Sequence, residues 1–198
     1  MAYPALIDRA LAAAAIAHQH QLRKNPLRQI PYVAHCAAVG ALLLRAGFGD
    51  EVVAAGILHD AAEDTDLTLA QIADAFGQRV ADLVSDVTEH DKSLSWEVRK
   101  RDYLEHLQSA DIDALAIAAA DKLHNNRALL DVLDELAALG LPPDAAWAAF
   151  KRGPASSVAF TRRACDIIKA QDHRDPRLKT LCDDLDASVS LLEAHIAA

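Results

Sequence analysis

Apolar residues recur at three- and four-residue intervals along nearly the whole chain, the spacing that gathers them on one face of an α-helix. The spacing fails where Gly and Pro fall. Pro4 suits an early helical position, and residues 5–22 read as a first helix. Asn25-Pro26 and Ile30-Pro31 interrupt the pattern, and a second helix over 33–45 stops at Gly47-Phe48-Gly49. Asp50 is placed to cap a third helix that carries Val52, Val53, Ile57 and Leu58 and runs to about 62–64. Thr68 opens a short helix to Phe76, and Gly77 separates it from the next, over 79–88. The polar run 89–93 reads as a loop. Ser95 then caps a helix to about 108, with Glu97 favouring its first turn. Asp111 starts a long helix to 138, closed by Gly140. Pro142-Pro143 precedes a short helix with Trp147 and Phe150, and Gly153-Pro154 reads as a break. Helices over 156–170 and 176–197 finish the chain. The expectation is one all-α domain over residues 1–198, a bundle of about nine to ten helices.

Composition sharpens this. Of 198 residues, 52% are hydrophobic and 25% charged, which excludes a disordered chain. Aromatic residues reach only 5%, with seven Gly and seven Pro, too few for the turns and packed faces of an all-β fold. The net charge of −9 excludes a basic nucleic-acid-binding domain but leaves room for a small anion held by a few local cations. Cys36, Cys165 and Cys182 are odd in number and unpaired in spacing, so neither a disulfide framework nor a zinc knuckle is expected, and a reducing cytoplasm is. Asp8 and Arg9 interrupt the first apolar stretch, which argues against a secretory leader. No window approaches the ~20 apolar residues of a membrane span.

The residues that carry chemistry are His35, His59-Asp60, Glu63-Asp64 and Asp121. His59 and Asp60 end an apolar helix, which implies partial burial, and a buried carboxylate must be paired, hydrogen-bonded or metal-bound. Two imidazoles and two carboxylates can close around one divalent ion, and this fairly hard donor set admits Mn²⁺, Fe²⁺, Co²⁺ or Zn²⁺. Glu63 and Asp64 follow Asp60 by three and four residues, hence lie one turn on and on the same helix face. Paired carboxylates beside a metal suit hydrolysis: one takes a proton from water, the other serves the leaving oxygen.

The ordered series His35, His59-Asp60, Asp121 resembles the HD superfamily of metal-dependent phosphohydrolases. Four stretches are similar, more narrowly, to the hydrolase domain of RelA/SpoT-type enzymes and to small alarmone hydrolases. They are Arg23-Lys24 with Pro31-Tyr32-Val33-Ala34-His35; Leu58-His59-Asp60-Ala61-Ala62-Glu63-Asp64-Thr65; Val87-Thr88 with Asp91-Lys92; and Ala120-Asp121-Lys122-Leu123-His124-Asn125-Asn126-Arg127. The likeness covers about residues 1–170, leaving 171–198 as helices packed on the domain. It implies that His35, His59, Asp60 and Asp121 bind one metal, usually Mn²⁺, and that Glu63 and Asp64 activate water. It also implies that Arg23, Lys24 and Asn125 contact a nucleotide, and that the 3′-pyrophosphate of ppGpp or pppGpp is removed. Lys92 and Lys122 add positive charge that a polyphosphate needs in an acidic protein. The partner is a small nucleotide rather than nucleic acid or membrane, the oligomeric state stays open, and no synthetase domain fits in 198 residues.

Some positions depart from the family pattern. Residues 25–30 lack its usual glycine, Cys36 stands where many relatives have Pro, and 156–161 hold only Phe160 where relatives place Trp or Tyr. These leave open a hydrolase of adenosine alarmones, of the NADPH 2′-phosphate or of nucleoside monophosphates; a separate alternative is a non-enzymatic helical module that binds a nucleotide or a protein and signals. His18 and His20 read as surface residues of the first helix, Lys92, Arg99 and Lys100 as a solvated helix face or as charge that steers phosphate, Arg162-Arg163 as a solvated pair or a contact to a phosphate tail, His124 as a packing residue or a support for the metal ligands, and Trp147 and Phe150 as core.

Overall fold

The computed structural model describes residues 4–89 and 91–197, so His90 of the expected 89–93 loop lies outside the described residues. The elements in chain order are α1 (Ala5–Ala17), α2 (Val33–Ala46), α3 (Asp50–Leu58), α4 (Ala61–Asp64), α5 (Leu69–Phe76) and α6 (Gln78–Val87). After them come α7 (Trp96–Leu107), α8 (Ile112–Ala138), α9 (Asp144–Trp147), α10 (Gly153–Lys169), a 3₁₀ turn over Asp172–Arg174, and α11 (Pro176–Ala197). The fold is all-α, and the single-turn segments α4 and α9 bring the α-helical count to eleven among the described residues. None of these helices is long and apolar enough to cross a membrane.

Local chemistry sets most boundaries. Thr68 and Gln71 form a reciprocal capping box at α5, the Ser95 hydroxyl accepts from the Val98 N–H at α7, and the Asp111 carboxylate accepts from the Ala114 N–H at 2.9 Å at α8. Gly47 ends α2 in the left-handed region, at φ 90°. Three expectations shift. α1 stops at Ala17 instead of running to 22, because residues 21–32 fold back in a hairpin: Leu22 bridges Pro31, and the Arg23 N–H donates to the Ile30 carbonyl at 2.8 Å. Gly49, with extended backbone, is the cap of α3, and Asp50 is its first residue. Gly153-Pro154 opens α10 rather than breaking the chain, since Pro fits a first helical turn, where no intrahelical N–H bond is lost.

α3 lies at the centre. Residues 52–58 are all buried, with α1, α2, α6 and α8 packed around them. Gly40 on α2 and Gly56 on α3 let those two helices touch: a Cβ on Gly56 would fall 2.2 Å from Leu43 Cδ1, and one on Gly40 would fall 2.6 Å from Ile57 Cγ1. α11 runs against α8, and a second apolar cluster forms where the C-terminal half of α8 meets Trp147, Val158 and Leu192.

Candidate metal centre and active site

α3 ends at Leu58, one residue before the His59-Asp60 pair. The chain then turns and restarts as α4, which carries Glu63 and Asp64. The expected single helix through 62–64 is thus two segments with the metal-type residues at their joint. His35 enters from α2 and Asp121 from α8. His35, His59 and Asp121 each bring one donor atom into a group whose members all lie within 4.8 Å of one another. His35 Nε2 is 3.3 Å and His59 Nε2 3.6 Å from Asp121 Oδ1, and the two Nε2 atoms are 3.2 Å apart. Asp60 borders this trio: its Oδ2 lies 2.9 Å from His59 Nε2 and 3.6 Å from His35 Nε2, and it accepts from the Tyr32 hydroxyl at 2.5 Å.

The remaining hydrogen bonds fix which ring nitrogens face the centre. His59 Nδ1–H donates to the Gly56 carbonyl at 2.8 Å, leaving the Nε2 lone pair inward. His35 Nδ1 is 2.7 Å from His124 Nδ1, and burial with the neighbouring His35 pushes His124 down to about 4. A neutral His124 then accepts from His35, so His35 too offers Nε2 to the centre. Burial disfavours a charged His59, yet the Asp60 and Asp121 carboxylates outweigh it and hold the imidazole well above its ordinary value. Burial likewise opposes ionisation of Asp60 and Asp121, but the His59 charge beside Asp60 and the Lys122 charge beside Asp121 hold both well below the usual carboxylate range. Two imidazole nitrogens facing two buried carboxylates demand shared positive charge: without metal the proton on His59 supplies it, and a divalent cation that replaces that proton meets the demand with the correct donor chemistry.

Glu63 and Asp64, adjacent on α4, stand in different environments, and Glu63 borders the same cleft as His59, Asp60 and Asp121. Burial raises the Glu63 carboxyl, partly offset by the Glu89 backbone N–H donating to its Oε2 at 3.2 Å, while the nearby Asp60 adds to the rise. Lys92 Nζ binds the Glu63 carbonyl at 2.7 Å and Asp64 Oδ1 at 2.6 Å. The expected phosphate cation is therefore seated on the carboxylate pair. Arg23 Nη2 donates to Asn125 Oδ1 at 2.7 Å, and Asn125 Nδ2 donates to Asp121 Oδ1 at 2.5 Å, so two expected nucleotide contacts form one chain ending on a carboxylate of the trio. Lys24 lies 5.5 Å from the centroid of Phe150 and borders a cleft of about 260 Å³, along with His59, Asp60, Glu63 and Asp121.

A family model described as the HD domain matches residues 10–139, two thirds of the chain. The chain belongs to the HD domain family. HD domains hold a divalent metal, and the converging trio is where this one offers the ligands. The HD domain seen here is 41% identical over 121 residues to the Drosophila melanogaster guanosine-3′,5′-bis(diphosphate) 3′-pyrophosphohydrolase MESH1, covering 60% of this chain and 66% of that protein. A Synechocystis relative is 38% identical over 129 residues, 63% of this chain but 17% of that one. The chain thus spans less than two thirds of the length of each of these curated relatives. A solved structure titled as a metazoan ortholog of SpoT that hydrolyzes ppGpp superposes with a TM-score of 0.73 at 28% identity, covering 93% of this chain and 96% of that one.

Several residues of this HD site were not visible as such in sequence. His18 was expected on the surface; because α1 stops at Ala17, it turns inward, is only 2% exposed and stacks on Tyr32 with ring centroids 4.9 Å apart. Its Nδ1 bonds the Gln21 amide oxygen, and Gln21 Nε2 in turn donates to the Asp64 carbonyl at 2.9 Å. Arg99 and Lys100, read either as a solvated face or as charge that steers phosphate, are half-buried on Glu89, at 2.5 Å each. Arg162, also read as solvated, ties α10 to α11 through Asp186 at 2.5 Å and Glu193 at 2.8 Å. Tyr32 had a marker, its place three residues before His35, but nothing local says that its hydroxyl reaches Asp60.

Proposed function

We propose that this protein is a metal-dependent phosphohydrolase that removes the 3′-pyrophosphate of ppGpp or pppGpp, leaving GDP or GTP, with residues 1–198 acting as one hydrolase unit in the cytoplasm. The observation that carries the reading is the joint between α3 and α4: His59 and Asp60 lie at it, Glu63 and Asp64 follow on α4, and Glu63 lines the same cleft as His59, Asp60 and Asp121. The relatives named for the same reaction support it. His35, His59, Asp60 and Asp121 would hold the metal, and Mn²⁺ suits their mixed imidazole and carboxylate donors. When bound, that ion supplies positive charge to a phosphoryl oxygen and acidifies water.

The chain's own groups do the rest. Glu63, whose carboxyl is raised by burial, takes the proton of the attacking water and remains competent to return one. Asp64, held by Lys92 and Gln21, positions that water. The water oxygen bonds to the phosphorus attached to the ribose 3′ oxygen, that P–O bond breaks, and the ribose oxygen regains a proton. Arg23, Lys24 and Asn125 orient the nucleotide.

Product analysis of purified protein with ppGpp, with and without Mn²⁺, tests the reading: metal-dependent release of GDP and pyrophosphate is expected. Glu63→Gln and Asp64→Asn should each lower turnover by about 10² or more while the Mn²⁺ dissociation constant stays within about twofold. Metal-loaded protein that leaves ppGpp intact but hydrolyses another nucleotide of a panel would overturn the substrate assignment.

A further inference from the structure

Two ammonium groups enter the cleft from different helices. Lys122 follows Asp121 on α8, and its Nζ lies 3.1 Å from Asp121 Oδ2. The other oxygen of that carboxylate, Oδ1, faces the His35 and His59 nitrogens. Lys100 comes from α7, with Nζ 2.5 Å from Glu89 Oε1. Both lysines pack on the Phe160 ring, at 4.5 Å for Lys100 and 5.7 Å for Lys122, and Lys122 also lies 4.8 Å from the Tyr103 centroid. Their side chains are 24% and 12% exposed, and both border the cleft.

An ammonium has three N–H donors. Among the described residues, Lys100 spends one on Glu89, and Lys122 spends one on Asp121 and one toward Tyr103, so each keeps at least one donor for a further acceptor. Burial and the neighbouring Lys122 charge lower the pKa of Lys100, so the pair carries a repulsion that a bound anion would relieve.

The arrangement is directional. Asp121 presents one oxygen to the metal trio and the other to Lys122, and Phe160 links Lys122 to Lys100. We propose that Lys100 and Lys122 form a subsite for the distal phosphate of a ribose 3′-diphosphate, and that Lys100 sets the preference for a diphosphate over a monophosphate at that position. This rests on the phosphohydrolase reading above. A phosphorus attacked at the trio lies beside Asp121, and the phosphate one anhydride bond further on meets the lysines. A 3′-monophosphate would end beside Asp121 at the trio and leave them unengaged.

The test separates binding from turnover. In the Mn²⁺-saturated Glu63→Gln protein, equilibrium dialysis compares guanosine 5′-diphosphate carrying a 3′-diphosphate with the same nucleotide carrying a 3′-monophosphate. Adding Lys100→Met is expected to weaken the 3′-diphosphate by about tenfold or more, the weight of one charge-assisted hydrogen bond, and the 3′-monophosphate by less than about twofold. Lys100→Arg should restore most of the loss. Thermal unfolding and Mn²⁺ titration of each variant check that fold and metal site survive. An equal loss for both ligands, or no loss, overturns the subsite. Wild-type turnover of ppGpp is measured alongside. Selective loss of binding in a protein that never cleaves ppGpp would keep the subsite and sink the hydrolase reading; turnover without selective loss would do the reverse.

Discussion

At the scale of single residues, the site is a set of groups whose ordinary preferences are overridden by burial and by each other. Glu63 shows the cost. Burial raises its carboxyl above the ordinary glutamate value, so in the metal-free protein the folded state binds more protons than the unfolded state once pH exceeds that ordinary value. Stability then falls as pH rises through the window between the unfolded and folded pKa. Glu63→Gln removes the ionisation and should unfold at a higher temperature than wild type near pH 7, with the gap closing near pH 4. A midpoint equal to or below wild type at pH 7 would contradict this. Gln21 acts on the same element from outside, through the Asp64 carbonyl. Gln21→Leu should lower kcat by about tenfold, the loss of one interaction that holds the water-handling carboxylate in place, with KM and Mn²⁺ affinity nearly unchanged; Gln21→Glu, which accepts but cannot donate, should not rescue it. The pattern His…His-Asp…Asp and the Glu-Asp pair were legible as residues because their chemistry has few other uses in an apolar setting. The inward turn of His18 was not, because a helical surface and a buried turn offer histidine the same local sequence.

At the scale of elements, the decisive contact is between α2 and α3. His35 and His59 meet only if these helices approach more closely than two side-chain layers permit, and Gly40 and Gly56 remove those layers. Gly56→Ala gains about 1 kcal/mol in helix propensity but places a methyl carbon inside Leu43. Overpacking typically costs about 1–3 kcal/mol, so the net effect should be a loss of stability by denaturant unfolding. The same substitution parts the two imidazoles, and Mn²⁺ affinity should fall with it; unchanged affinity would show that the helices do not set the ligand spacing. The break after Leu58 was the other misread element. Helical spacing continues through Asp60 to Asp64, and His59 and Asp60 keep right-handed helical backbone angles, so periodicity alone extends the helix past the joint.

At the scale of the molecule, the residues proposed to hold the metal come from α2, the α3–α4 joint and α8, so an ion bound there would cross-link segments far apart in sequence. Such an ion binds the folded state alone, and free metal at 100 times its dissociation constant should add about 2.7 kcal/mol to the unfolding free energy. Chelation should abolish that gain, and Asp121→Ala should unfold at the same midpoint with or without Mn²⁺. Retention of the full shift in Asp121→Ala would place the ion elsewhere.

The helices themselves were determined by the sequence, because helical hydrogen bonds and caps act within four residues and leave their mark in local spacing: Thr68, Ser95 and Asp111 each cap where the pattern placed a start, or within a residue of it. The sequence also singled out His35, His59 and Asp121, by the rarity of those types in apolar surroundings, and the structure brings the three together. Only the tertiary structure decided which groups share a space. Lys92 sits on Asp64, Lys100 and Lys122 share the face of Phe160, and Arg23 reaches Asp121 through Asn125. Each of these pairings joins residues more than 20 positions apart, and no local rule fixes the distance between them; packing around α3 does.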